Sequence, residues 1–130
     1  MKKLSSVLTA IAVATGSLAL TTPAASATVQ KCTWNGICIR IVGEANKVDE
    51  LYTTIGNAPK GTCGQVAHLV ERHHGTVRNR WNGFACFDKG ATYRTVWNGP
   101  TFQKLWPDNT QLCGWFDARP GAWACATVED

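Results

Sequence analysis

The residues best equipped for chemistry are His68, Glu71 and His73, close together in one stretch with Arg72, His74 and Arg78 nearby. A base, an acid and a cation of this kind are what a small secreted ribonuclease or hydrolase needs to handle a phosphate. Strand geometry argues against that use, because side chains three apart on a strand point to opposite faces, separating His68 from Glu71. The plainer expectation is a solvated strand end with two exposed histidines. Other nucleophile patterns are missing. There is no G-x-S-x-G, and no serine occurs after Ser26. Phosphate-cradling glycine loops are absent too. The expectation is therefore a protein that is not an enzyme and takes no cofactor.

Six cysteines supply the other reactive chemistry: Cys32, Cys38, Cys63, Cys86, Cys113 and Cys125. They lack the clustered C-x2–4-C spacing of a zinc site and the C-x-x-C of a redox enzyme. Cys32 and Cys38 bracket a turn, and Cys113 and Cys125 nearly face each other across the last hairpin. Bridged Cα atoms lie within about 7 Å, which cross-hairpin neighbours satisfy. That leaves Cys63 with Cys86. The expected bridges are Cys32–Cys38, Cys63–Cys86 and Cys113–Cys125.

All six lie beyond an N-terminal stretch with the form of an export signal. Lys2 and Lys3 precede an apolar run, Leu4 to Leu20, and then Pro23 and Ala25-Ser26-Ala27, an A-x-A site. A membrane anchor is the rival, but no stop-transfer pattern follows. Residues 1–27 are read as a cleaved signal and 28–130 as one secreted, disulfide-rich domain, soluble once the signal is removed. Without Lys2 and Lys3, 11 basic and 9 acidic side chains remain, a net +2. That balance, with scattered basic residues, argues against nucleic acid or an anionic membrane as partner.

The elements that must position these residues read as strands. Trp-Asn-Gly occurs at 34–36, 81–83 and 97–99, and Asn-Gly favours the positive φ of a tight hairpin turn. Hairpins are expected from 76–81 with 84–87, from 91–97 with 101–106, and from 111–117 with 122–128. In the second, Tyr93, Thr95, Trp97, Phe102 and Trp106 share a face. Ile37 to Val42 reads as a central strand and Val48 to Ile55 as another. Residues 62–75 fit a strand or a capped helix, and the strand is preferred because a lone short helix must still find a face to pack on. About seven or eight short strands with turn signals indicate an all-β sandwich or small barrel.

Six tryptophans should mostly fill the core and brace turns, leaving one or two as surface anchors. Trp106 and Trp115 are the candidates, each beside turn residues or a cysteine. The loop around Pro59, Lys60 and Gly61 precedes Cys63 and could present Lys60 to a protease. Arg119 is a poorer bait because Pro120 follows it. Thr28, Val29, Gln30 and Lys31 precede the first cysteine and are expected to be free to add to a partner's sheet.

Gly36-Ile37-Cys38-Ile39, Gly43, Leu112-Cys113-Gly114 and Gly121-Ala122-Trp123-Ala124-Cys125 resemble small secreted proteins of Streptomyces and related actinobacteria. The resemblance runs from about Gly36 to Val128. It implies a small immunoglobulin-like antiparallel β-sandwich stapled by disulfides, and carries over no catalytic residues. Cys63 and Cys86 fall outside its pattern. In size and export the chain is also similar to the small adaptor subunit of the secreted umbrella toxin particles, where a compact protein joins a toxin stalk to lectin-bearing partners. The expected role is recognition of another extracellular protein, as an assembly adaptor or protease inhibitor. The alternatives are a cell-wall or polysaccharide-binding, antimicrobial protein using exposed Trp, and the hydrolase of His68, Glu71 and His73.

Overall fold

The computed structural model describes residues 27–128, so the expected export signal lies outside the described residues except for Ala27, which opens β1. Eight strands form: β1 (Ala27–Cys32), β2 (Ile37–Glu44), β3 (Lys47–Ile55), β4 (Thr62–His73), β5 (Thr76–Phe87), β6 (Tyr93–Val96), β7 (Thr110–Phe116) and β8 (Ala124–Val128). They make two antiparallel sheets, ordered β1-β2-β3-β6 and β5-β4-β7-β8. The chain crosses between sheets after β3, β5 and β6, and the result is a small antiparallel two-sheet sandwich, with strand orders that differ from the ABED and CFG sheets of an immunoglobulin domain. Among the described residues no helix is long and apolar enough to cross a membrane.

Alternation along the strands explains the packing. On β2, Ile37, Ile39 and Ile41 turn inward while the residues between them are half-buried. Leu51 and Ile55 from β3, Leu69 from β4, and Leu112 and Phe116 from β7 meet them in one core. Each such side chain contributes about 1.5–3 kcal/mol by leaving water. Two glycines set how closely backbones approach. A Cβ on Gly43 would overlap the Lys47 carbonyl at the β2–β3 bulge. A Cβ on Gly114 would overlap the Thr53 methyl, so β7 lies against β3 only because that position carries no side chain.

Three disulfides join directly opposed residues: Cys32 to Cys38 across β1–β2, Cys63 to Cys86 across β4–β5, and Cys113 to Cys125 across β7–β8. Each pair has its Cα atoms 4.0 Å apart. Three such bridges fit an oxidising environment.

Three expectations need correction. Trp81-Asn82-Gly83 is no turn but runs inside the continuous β5. Gly83 serves close approach instead: a Cβ there would come within 2.9 Å of Thr95 Cγ2 and 3.3 Å of Ala67 Cβ. The turn falls earlier, at His74 and Gly75, both at positive φ (51° and 81°), which suits a tight hairpin of the type I′ kind. Trp97-Asn98-Gly99 starts no hairpin either. Residues 97–109 form an irregular cover with one bridge, Lys47 to Leu105, while β6 pairs with β3. Trp97, Phe102 and Trp106 all sink into the core as the shared face implied, but from an irregular segment and not from a paired second strand. Finally, Thr28 to Lys31 is not a free segment. It is already paired to β2 as the edge strand β1.

The β2–β3 turn holds Ala45 at φ 54°, a region that costs a residue with a Cβ about 1–2 kcal/mol. Ala45→Gly is therefore expected to raise stability by about 0.5–1 kcal/mol despite the larger unfolded-state entropy of glycine. Chemical denaturation of the two proteins measures the difference.

Candidate functional site: an aromatic row on the outer face of one sheet

The β4 register decides which residues share the outer face of the β5-β4-β7-β8 sheet. His68 lies opposite Asn82 on β5 and opposite Trp115 on β7. Because Cys113 faces Cys125, the register brings Trp123 beside Trp115. One row thus crosses the sheet: Asn82, His68, Trp115, Trp123. Its rings are stacked, with Trp115 and Trp123 centroids 4.1 Å apart at 2° and His68 and Trp115 4.9 Å apart at 16°. Phe84, 74% exposed, extends the face along β5.

Hydrogen bonds hold the imidazole in this stack. His68 Nδ1 lies 2.8 Å from Asn82 Oδ1, and Nε2 lies 2.7 Å from Asp117 Oδ1. Both ring nitrogens therefore have an oxygen partner, and the ring's orientation is fixed against Trp115. The opposite outer face, on β1-β2-β3-β6, is different in character. There Arg40 and Arg94 lie over the Tyr52 ring, 5.9 and 4.6 Å from its centroid. On that sheet too, the Lys47 ammonium is held above its ordinary range by its hydrogen bond to Asp49 and by that carboxylate's charge.

β5 adds a second feature. It is 12 residues long and terminates its sheet, so among the described residues one of its backbone edges has no strand beside it. Arg78 and Arg80 charge the half near the turn, whereas 81–87 carries no charge. Long unpaired edges are templates for pairing with another chain, and charge is the usual device that blunts them.

The residues singled out by sequence are dispersed. Trp106 is not a surface anchor: it is 1% exposed, and its Nε1 donates to the Phe102 carbonyl at 3.0 Å. Its apolar neighbours drew it inward, with Trp81 packed edge-on. Trp115 is half-buried within the row. Pro59, Lys60 and Gly61 are exposed, but the residue before them is pinned. Ala58 is buried, its N–H donating to Ala91 and its carbonyl accepting from Gly90. With β4 starting at Thr62, only a short arc stands free. His68 and Glu71 do occupy opposite faces, since β4 alternates without interruption between them. Glu71 is buried and accepts from Asn79 Nδ2 at 2.7 Å. His73 sits at the strand end with its ring edge-on to His74. Among the described residues no His, Cys, Asp and Glu group is placed to hold a metal ion.

Sequence reasoning missed Trp34, Trp123 and Phe84. A signal existed for Trp123, because pairing Cys113 with Cys125 places 115 opposite 123. Trp34 occupies the turn between two bridged cysteines, where a side chain has little to pack against. No family model, curated protein or solved structure matches the chain.

Proposed function

We propose that the protein is a secreted, non-enzymatic recognition module that docks another extracellular protein on the outer face of the β5-β4-β7-β8 sheet, as an assembly adaptor does. The carrying observation is the stack of His68, Trp115 and Trp123, running from β4 over β7 to the residue before β8, with exposed Phe84 on β5 beside the uncharged half of that strand's edge. Exposed apolar patches of this kind mark interaction sites. Aromatic anchors supply most interface energy, and an open edge supplies main-chain hydrogen bonds. Inhibition of a protease through Lys60 draws less support, because the pinned Ala58 and the start of β4 leave little extended chain to enter a cleft.

Phe84→Asp tests this reading. Phe84 is exposed and outside the core, so the fold should change by less than ~0.5 kcal/mol. The new charge lies in the middle of the proposed interface. Affinity capture from culture medium with the wild-type domain is expected to retain a stoichiometric partner, and the variant to lose at least about tenfold in affinity for it, on the scale of a lost aromatic anchor. Equal capture by both proteins would reject this face.

A further inference from the structure

We propose that the cleft between Trp34 and Trp123 is a binding site for a neutral saccharide, adjoining the protein-docking face and sharing Trp123 with it. The cleft is an open surface groove of about 370 Å³ lined by Thr33, Trp34, Asn35, Pro120, Gly121 and Trp123 among others. That volume lies in the range of small-molecule sites.

Its walls come from two turns remote in sequence, and both are tied in place. The β1–β2 turn carries Trp34 and is closed below by the Cys32–Cys38 bridge. The β7–β8 turn carries Pro120 and Gly121. Arg119 in that turn reaches across, Nη1 donating to the Gly56 carbonyl at 3.1 Å and Nη2 to the Asn57 carbonyl at 3.2 Å. Gly56 N–H in turn donates to the Gly36 carbonyl at 3.0 Å. The guanidinium thus fastens one wall to the loop on which the other wall rests. Such pre-organisation reduces the entropy lost when a ligand binds.

The lining specifies the ligand's chemistry. None of the lining residues is charged, and the neighbouring Arg119 guanidinium is engaged by the Gly56 and Asn57 carbonyls, so the lining itself offers an ion no counter-charge. Trp34 is 97% exposed, more than a tryptophan without a ligand ordinarily shows. Trp123 is 37% exposed, with one face covered by Trp115, which leaves its second face for the cleft. Two indole surfaces therefore meet a small set of neutral polar groups. The Thr33 hydroxyl donates to Asn35 Oδ1, which fixes the amide and leaves its Nδ2 protons for an incoming acceptor. A sugar ring has the matching form: an apolar C–H face for the electron-rich indole and a rim of hydroxyls for the amide. A Pro-rich peptide shares the apolar part, but needs a groove running along several residues, and this cleft is confined between two turns.

The test is a titration of the folded domain with N-acetylchitotriose, cellotriose and maltotriose, and separately with a Pro-rich decapeptide. Tryptophan fluorescence and amide chemical shifts report binding. Expected is saturable binding of at least one saccharide at millimolar concentration or below, with shifts centred on Asn35, Gly121 and the Trp123 indole N–H. Trp34→Ala should weaken it about tenfold or more, and Asn35→Ala should weaken it less. Trp34 is almost fully exposed, so this variant should melt as the wild type does. Phe84→Asp, on β5 at the other end of the docking face, should leave saccharide affinity unchanged, which distinguishes loss of this site from loss of the docking face. Failure of all three saccharides, binding of the decapeptide alone, or full affinity in Trp34→Ala would each overturn the assignment.

Discussion

Trp106→Ala is expected to destabilise the protein by about 3–5 kcal/mol, the range for truncating a large buried aromatic. Three losses combine. The indole is 1% exposed, so its removal opens a cavity in the core. Its neighbour Trp81, 6.2 Å away and edge-on, loses a packing partner. The Phe102 carbonyl loses one of its two donors, keeping only the Lys104 N–H. Domains of this size hold only about 5–15 kcal/mol in total, so the variant should melt far below the wild type. Trp34→Ala provides the contrast: the same chemical change at a fully exposed site should move stability by less than ~0.5 kcal/mol. Parallel urea titrations of the two variants check the pair. A small loss for Trp106→Ala would mean that residues 97–109 do not cover the core as described.

Gly114→Ala should cost about 1–3 kcal/mol, the scale of overpacking in a close-packed interior. The added methyl would overlap Thr53 Cγ2. Neither side can retreat easily, since Thr53 is fully buried and its hydroxyl accepts from Trp97 Nε1 at 3.2 Å. The clash has a specific remedy. Thr53→Ser removes the obstructing methyl and keeps the hydroxyl for Trp97. The Gly114→Ala, Thr53→Ser double variant should therefore be more stable than Gly114→Ala alone, a coupling that a double-mutant cycle measures directly. Additive losses would mean that the strain arises elsewhere.

Trp-Asn-Gly shows how far the sequence could be read. The tripeptide occurs three times, with three outcomes. At 34–36 it makes a hairpin turn, with Gly36 at φ 96°. At 97–99 the glycine again takes positive φ, 94°, but begins an irregular cover. At 81–83 it runs through a strand, where the missing Cβ matters because β6 lies close by. Glycine serves two physical needs, left-handed backbone and close approach, and a local pattern does not distinguish them. Only the partner across the core does. Two disulfides were legible for the opposite reason: Cys32–Cys38 and Cys113–Cys125 each join neighbours across a hairpin visible in the local spacing. Cys63–Cys86 followed only by elimination, because the β4–β5 hairpin that opposes them turns at His74 and Gly75 and not where the sequence placed a turn. Residues 62–75 were only partly legible: they fit a capped helix as well as the preferred strand, and pairing on both sides by β5 and β7 makes Thr62–His73 a strand.

The candidate site divides along the same line. Trp115 could be anticipated from its place beside Cys113, and Trp123 follows once the Cys113–Cys125 register is accepted. Trp34 and Trp106 could not be told apart by composition, since each sits among turn residues. Phe102 and Trp81 pack around Trp106, whereas Trp34 projects from a bridged turn, and that difference exists only in three dimensions.

Hydrogen–deuterium exchange on the complex captured from culture medium tests the docking account most directly. In the free protein, amides on the open edge of β5 should exchange quickly, because no strand protects them. In the complex, exchange along 80–87 should slow markedly, while β1 and the Pro59–Gly61 loop should be unchanged. Protection confined to β1 or to that loop, with β5 exchanging as in the free protein, would contradict it.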